Sequence, residues 1–252
     1  MSGHSKWSSI KHRKAAQDAK RGALFNKVIR ELVIAAREGG GDPKHNATLA
    51  SAMEKARGAA MPRETIERAV QRGAGETGGE HYERMVYEGR GPAGTAMMVA
   101  SLTDNRNRTV ADIRHIFARH GGALTETGSL SWMFERRGVL TIRGEKMDED
   151  TLLEACAEAG AEDFKYDGEA AEVFCAAADF AQVRAWFEGS GRFTVESHDL
   201  ALVPKDVVEI TDVDGARRVL RLIEALEEHD DVQAVYSNWS MSDELVERAI
   251  GD

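Results

Sequence analysis

Lys6, Trp7, Lys11, His12, Arg13 and Lys14 crowd into the start of the chain, and Lys20, Arg21, Lys27 and Arg30 follow them. Residues 1–30 hold eight Lys and Arg against one acid, Asp18. Cations at this density neutralise phosphates and release counterions, which gives affinity without base specificity. Trp7, between Lys6 and two serines, offers a flat face for an unpaired base, a stack worth ~1–3 kcal/mol. His12 can donate to a phosphate or stack as well. A charge run is usually only a solvated face, with Trp7 then packed against the neighbouring helices. Eight-to-one density around an embedded Trp favours nucleic-acid contact instead.

A second stretch with chemical potential is Asp104-Asn105-Arg106-Asn107-Arg108-Thr109, between a strand-like run and a helical one. Backbone donors at a helix start and two arginines could hold an anion such as a phosphate. The alternative is a polar turn in which Asn107 or its neighbour caps the helix. That alternative is the favoured one, which leaves Asn105, Arg106, Asn107 and Arg108 as an accessory anion contact at best.

Other patterns exclude chemistry rather than supply it. Gly39-Gly40-Gly41 follows a helix and lacks the frame of a phosphate loop. Asp212-Val213-Asp214-Gly215 lacks the third acid and closing Glu of a calcium loop, so helix capping explains it better. His4 and His12 have no convincing metal partners, and no serine sits in a nucleophile frame. The expectation is therefore a protein that is not an enzyme, with no metal and no cofactor. Cys156 and Cys175 fall on an apolar helical face and in an apolar strand, as buried reduced thiols of a cytoplasmic protein do. No apolar run reaches the ~18 residues of a bilayer span, and no apolar segment follows the basic start as in a secretory signal.

The elements that must carry these residues are legible from periodicity. Residues 5–21 make a helical arm too charged to be stable alone, expected to order on its partner. From Leu24 a broad apolar face appears, with Leu24, Val28, Leu32 and Ala35 at helical spacing. Lys20, Lys27 and Arg30 lie opposite that stripe, the division a phosphate-tracking helix needs and any surface helix shows. Gly39–Pro43 stops the helix. Asn46 can cap a second helix carrying Leu49, Ala52, Met53 and Ala56, and Pro62 suits the first turn of a third carrying Ile66, Ala69 and Val70. A Gly-rich linker then separates this bundle from strands at 82–88 and 95–102, the second with Ala96, Met98, Ala100 and Leu102 on one face. A helix at 107–120 buries Val110, Ile113, Ile116 and Phe117.

Residues 138–203 read as strand, helix with Leu152, Leu153 and Cys156, two strands meeting at Asp167-Gly168, helix, strand. That is the βαββαβ order of a ferredoxin-like unit. A strand at 207–211, a helix through Leu226 and a strand at 232–238 remain without partners. They are expected to complete an α/β sandwich with residues 80–135. The fold class is α+β: an N-terminal three-helix domain followed by two ferredoxin-like α/β domains, the second inserted into the first. The expected boundaries are 1–75 for arm and bundle, 80–135 with 205–240 for the discontinuous domain, 136–204 for the insertion and 241–252 for a C-terminal helix capped by Ser242.

Charge divides the chain sharply. Residues 1–75 carry a net +8, whereas residues 76–252 hold eighteen Lys and Arg against thirty-six Asp and Glu, a net −18. Such a body is repelled from nucleic acid, which confines contact to the head and to the Arg106/Arg108 edge. Its outer faces suit basic proteins instead.

The words GHSKWSSIKHRKAAQDAKRG, LFNKVIRELVIAAREGGGDP and NATLASAMEKARGAAMPRETIERAVQRG closely resemble the opening of the YebC/PmpR proteins, and the resemblance continues to the C-terminus. These are widespread bacterial proteins usually described as transcriptional regulators. The resemblance implies a helical N-terminal domain and two α/β domains, the middle one discontinuous in sequence; the discontinuity rests on it. It also implies a non-enzymatic, DNA-binding regulator of gene expression. The family further resembles a mitochondrial translational activator of cytochrome oxidase, and some members are linked to relief of ribosome stalling at proline runs. The alternative is therefore a ribosome-associated, RNA-binding translation factor, with ribosomal RNA as nucleic-acid partner and ribosomal proteins meeting the acidic body. The arm suits either partner.

Overall fold

The computed structural model describes residues 19–75, 82–145 and 147–251. Lys6, Trp7, Lys11, His12, Arg13 and Lys14, with most of the expected arm helix, lie outside them. The described chain begins in helix α1, Ala19–Gly39, followed by α2, Ala47–Gly58, and α3, Arg63–Gly73. Val28, Leu32, Val33, Leu49, Ala56, Ile66 and Ala69 form their shared core. Leu24, expected on the same stripe, is 43% exposed, so the buried face starts one turn later at Val28.

Small residues set the spacing in this bundle. A Cβ added to Gly73 would overlap the Val33 carbonyl oxygen and stand 2.8 Å from the Ala36 methyl. Only glycine lets α3 cross α1 this closely. Asn46 serves two helix ends at once. Its Oδ1 accepts from Leu49 N at 3.0 Å as the cap of α2, and its Nδ2 donates to Ala35 O and Gly40 O at 2.7 and 2.8 Å. The last carbonyls of α1 and the first amides of α2 are thereby satisfied by one buried side chain.

The first α/β unit opens with the hairpin β1, Glu83–Arg90, and β2, Ala96–Thr103; α4, Arg106–Arg119, and the two-residue β3, Ala123–Leu124, follow. The inserted unit runs β4, Phe134–Arg143; α5, Glu149–Ala159; β5, Asp163–Tyr166; β6, Ala171–Ala176; α6, Phe180–Gly189; and β7, Thr194–Pro204. Its sheet has the order β5-β6-β4-β7, all antiparallel. Counted within the unit this is 2-3-1-4, the ferredoxin-like arrangement that the βαββαβ order implies. The chain then makes β8, Val208–Glu209; α7, Val213–Glu228; β9, Val232–Ser237; β10, Trp239–Ser240; and α8, Asp243–Gly251.

β9 returns to pair antiparallel with β2, completing a sheet of order β3-β1-β2-β9. Because β9 occupies that edge, the expected strand at 207–211 does not join the sheet. It shrinks to β8 and pairs parallel with β10, whose Trp239 is buried at 1% exposure. Both faces of β2 are covered, as its continuous apolar run requires. Met97 and Val99 pack with Ile113, Phe117 and the α7 residues Val219, Ile223 and Leu226. Ala96, Met98 and Ala100 do share a face, and that face meets Phe134, Val139, Phe174 and Ala201 of the second sheet. The two sheets are thus joined by an apolar core of their own.

The insertion's helices cover its other face, with Leu140, Ile142, Leu152, Val173, Val183 and Phe187 inside. Leu153, expected inside, is 63% exposed, one position off the face that Leu152 and Cys156 define. Cys156 and Cys175 are buried free thiols. Burial, with the Asp163 charge behind it, pushes the Cys156 thiol up to about 11. The remaining capping expectations are met: Asp212 accepts from Gly215 N at 2.7 Å, and Ser242 from Leu245 N at 3.2 Å.

Candidate nucleic-acid interface

Of the ten head residues singled out by type, four fall on α1. Lys20 and Arg21 stand in its first turn. Lys27 and Arg30 lie on the side away from the bundle core, as their spacing requires, but that side is not turned to solvent. Lys27 Nζ donates to the Glu227 carbonyl at the C-terminal end of α7. The Arg30 guanidinium donates to the Asp230 carbonyl, pairs with the Asp231 carboxylate at 3.1 Å and stands 5.6 Å from the centre of the Tyr82 ring. Cations at a helix C-terminus also oppose the negative end of its dipole. The base of the basic head is thereby fastened to the acidic body.

Asp231 is the centre of this junction. Its side chain is 2% exposed, yet it accepts from Arg30, from Arg108 at 2.9 Å and from the Thr109 hydroxyl at 2.6 Å. Burial pushes its carboxyl up. The hydrogen bonds from Thr109 and Arg108, with the charges of Arg30 and Arg108, outweigh burial and hold it below the ordinary carboxylate value. Arg108 also binds Asp104 at 2.7 Å, so one Nη2 serves two carboxylates and the guanidinium's proton is held more tightly than usual.

The polar turn at 104–109 therefore divides in two. Asn105 is the cap of α4, its side chain accepting from Arg108 N at 3.1 Å and its own N–H donating to the Thr103 hydroxyl at 2.9 Å. The cap expected at Asn107 or its neighbour falls two positions earlier, because Asn105 is the last residue with extended backbone, at φ −145 and ψ 92. Asn105 and Arg108 are held by the protein itself. Arg106 and Asn107 are exposed, Arg106 lying 3.7 Å from Glu83.

The bundle also touches the inserted unit. Glu54 on α2 accepts from Arg184 on α6 at 2.8 Å and lies 3.9 Å from His198 on β7. Burial, and then the neighbouring Arg184 charge, lower the His198 pKa despite the carboxylate beside it. Among the described residues no three His, Cys, Asp or Glu side chains stand where they could hold one metal ion. The charged groups that do converge, Arg30, Arg108, Asp104 and Asp231, neutralise one another. Their arrangement fastens units together.

Asp231 and Thr109 are the residues that sequence reasoning missed. An acid pair before a strand reads as a surface turn, and nothing local marks the second acid as buried. The only available signal is the surplus of arginine at 30, 106 and 108 around a chain otherwise rich in acids.

A small helical head bonded through a buried carboxylate to an antiparallel α/β unit, with a ferredoxin-like unit inserted into it, makes a three-unit α+β protein. The chain belongs to the TACO1/YebC family: residues 5–76 match the TACO1/YebC protein N-terminal domain and residues 82–239 the TACO1/YebC second and third domain. It is 49% identical over 245 residues to a protein of Pelotomaculum thermopropionicum, covering 96% of this chain and 100% of that one. It is 50% identical over 248 residues to a protein of Shewanella oneidensis, covering 98% and 99%. Both relatives bear the name "Probable transcriptional regulatory protein". A crystal structure of a conserved hypothetical protein from Aquifex aeolicus is similar with a TM-score of 0.81 at 42% identity, over 91% of this chain and 95% of that one.

Proposed function

We propose that this protein is a non-enzymatic, nucleic-acid-binding regulator of gene expression that acts in the cytoplasm as a DNA-binding transcriptional regulator. The observation that carries this reading is the segregation of charge, a net +8 on residues 1–75 against −18 on residues 76–252. Lys6, Trp7, Lys11, His12, Arg13 and Lys14 supply phosphate and stacking contacts, and Lys20 and Arg21 continue them into α1. Lys27 and Arg30 anchor the head to the body, so their contribution is to position the arm rather than to meet phosphate. The names borne by the relatives support the regulatory role. Arg106 and Asn107 remain as an accessory anion contact.

One observation favours a second reading, an RNA-binding translation factor at the ribosome. A body of net −18 is repelled by a DNA duplex, whereas a surrounding of basic proteins would attract it. In-cell ultraviolet crosslinking of the intact protein, with sequencing of the attached nucleic acid, separates the two. Promoter DNA at a few sites supports transcriptional regulation; ribosomal RNA clustered in one region supports the translation factor. Adducts confined to residues beyond 80 would overturn both, because each places contact in the head.

A further inference from the structure

The first sheet is left with a long open edge. Of the eight residues of β1, β3 pairs with only Gly89 and Arg90. Thr125 N then donates to the Glu88 carbonyl at 2.9 Å, and the chain turns away. Among the described residues no strand lies beside Glu83–Tyr87 on that side. The Glu88 carbonyl faces outward, whereas Gly91 N donates to Thr95 O on the β2 side. Two-residue alternation therefore also turns the N–H and C=O of Val86 and Arg84 away from β2.

This edge is one wall of a groove of about 820 Å³. The other wall is the face of α4 that carries Asn107, Val110 and Arg114, and Leu124–Thr127 close one end. Glu88 fixes that end. Its buried carboxylate accepts from Gly128 N at 2.7 Å, Leu130 N at 2.6 Å and Ser131 N at 3.2 Å, which holds the loop out of line with β1. The Tyr87 hydroxyl, on the groove lining, is buried with no hydrogen-bond partner among the described residues.

Exposed edges are normally blunted by charge, by proline or by a covering segment. Here the edge charges are themselves paired, Arg84 with Glu38 at 3.2 Å and Glu83 with Arg106 at 3.7 Å. The centre, Met85-Val86-Tyr87, is uncharged, and Val86 is 42% exposed. The lining holds four acids, Glu83, Glu88, Asp104 and Glu126, against Arg106 and Arg114. It sits within residues 76–252, which carry a net charge of −18.

We propose that this groove binds an extended basic segment of a partner protein, added to β1 as an antiparallel fifth strand. Main-chain bonds to Val86 and Arg84 supply affinity, and alternate side chains lie over Tyr87, Val110 and Leu124. The acidic surroundings favour a Lys-rich segment over an acidic one. The site is independent of which nucleic acid the head takes.

The test uses the full chain and a short fluorescein-labelled peptide of alternating Lys and Val. Binding is read by anisotropy, and residues 83–87 are followed by hydrogen exchange. The peptide should bind and slow exchange at Arg84 and Val86. A Glu–Val counterpart, or the same peptide N-methylated at alternate amides, should bind about tenfold more weakly, the worth of one or two net hydrogen bonds. Val86→Pro removes an outward N–H without breaking a β1–β2 bond and should weaken binding by about the same factor. Val86→Arg, a surface change that keeps the strand, should weaken it by charge. Equal binding of the N-methylated peptide, or binding without protection at 83–87, would overturn the proposal. Concentration-dependent protection of the same amides without peptide would give the edge to a second copy of this chain and overturn it too.

Discussion

Arg30, on the longest helix of the bundle, reaches the buried carboxylate of Asp231 at 3.1 Å, and Arg108 reaches the same carboxylate from α4 at 2.9 Å. One acid thus holds together an N-terminal helix, the capped turn before α4 and the entry to β9. The side chain of Arg30 is only 16% exposed, so solvent screens this pair much less than a surface bridge.

Asp231→Ala leaves the Arg30 guanidinium in a largely closed site without its counter-charge. Breaking a buried pair from one side costs on the order of 3 kcal/mol. Urea unfolding of the variant should show a loss near that size, and limited proteolysis should cut between bundle and body sooner than in the parent. A double-mutant cycle with Arg30→Ala should recover a coupling of about 1 kcal/mol or more.

The same carboxylate sets an acid limit. Its folded pKa lies below the ordinary value of 3.8. Its contribution is complete above 3.8, where both states are ionised, and is lost as pH falls through the lower folded value, because the unfolded chain takes the proton first. The stability difference between the parent and Asp231→Asn should hold from neutral pH down to about that point and shrink below it. A difference that grows on acidification would reverse the sign assigned to this group.

Gly73→Ala tests the packing of the head directly. The added methyl meets the Val33 carbonyl and the Ala36 side chain, so α3 must move off α1. Overpacking of this kind costs roughly 1–3 kcal/mol. Thermal unfolding should reveal the loss, whereas Gly58→Ala, where nothing lies within 4 Å, should leave the protein unchanged or slightly more stable.

Much of this architecture is readable before any coordinates. The strand and helix order from 138 to 203, with Asp167-Gly168 between adjacent strands, implies the ferredoxin-like unit, and Asp167 N does bond Ala170 O across that turn. Asn46, Asp212 and Ser242 cap where their types suggest. What periodicity cannot supply is whether a neighbour covers an apolar face. Leu24 and Leu153 sit close to their stripes and are nevertheless exposed. Nor does local pattern reveal a contact between distant positions. Asp231 meets Arg108 across 123 positions, and both read as ordinary surface charges until the fold brings them together. The same blindness affects Lys27 and Arg30, whose outward spacing is correct although the outward side is covered by α7 and its exit.

The salt dependence of nucleic-acid binding tests the role of the head most directly. Affinity of the full chain should fall with log salt by ~0.7–0.9 log units for each phosphate neutralised. Replacing Lys11, Arg13 and Lys14 together with Ala should lower that slope by roughly 2–3 while the melting temperature of the body stays unchanged. A slope near zero in the parent, or an unchanged slope in the triple variant, would contradict the assignment of nucleic-acid contact to the basic arm.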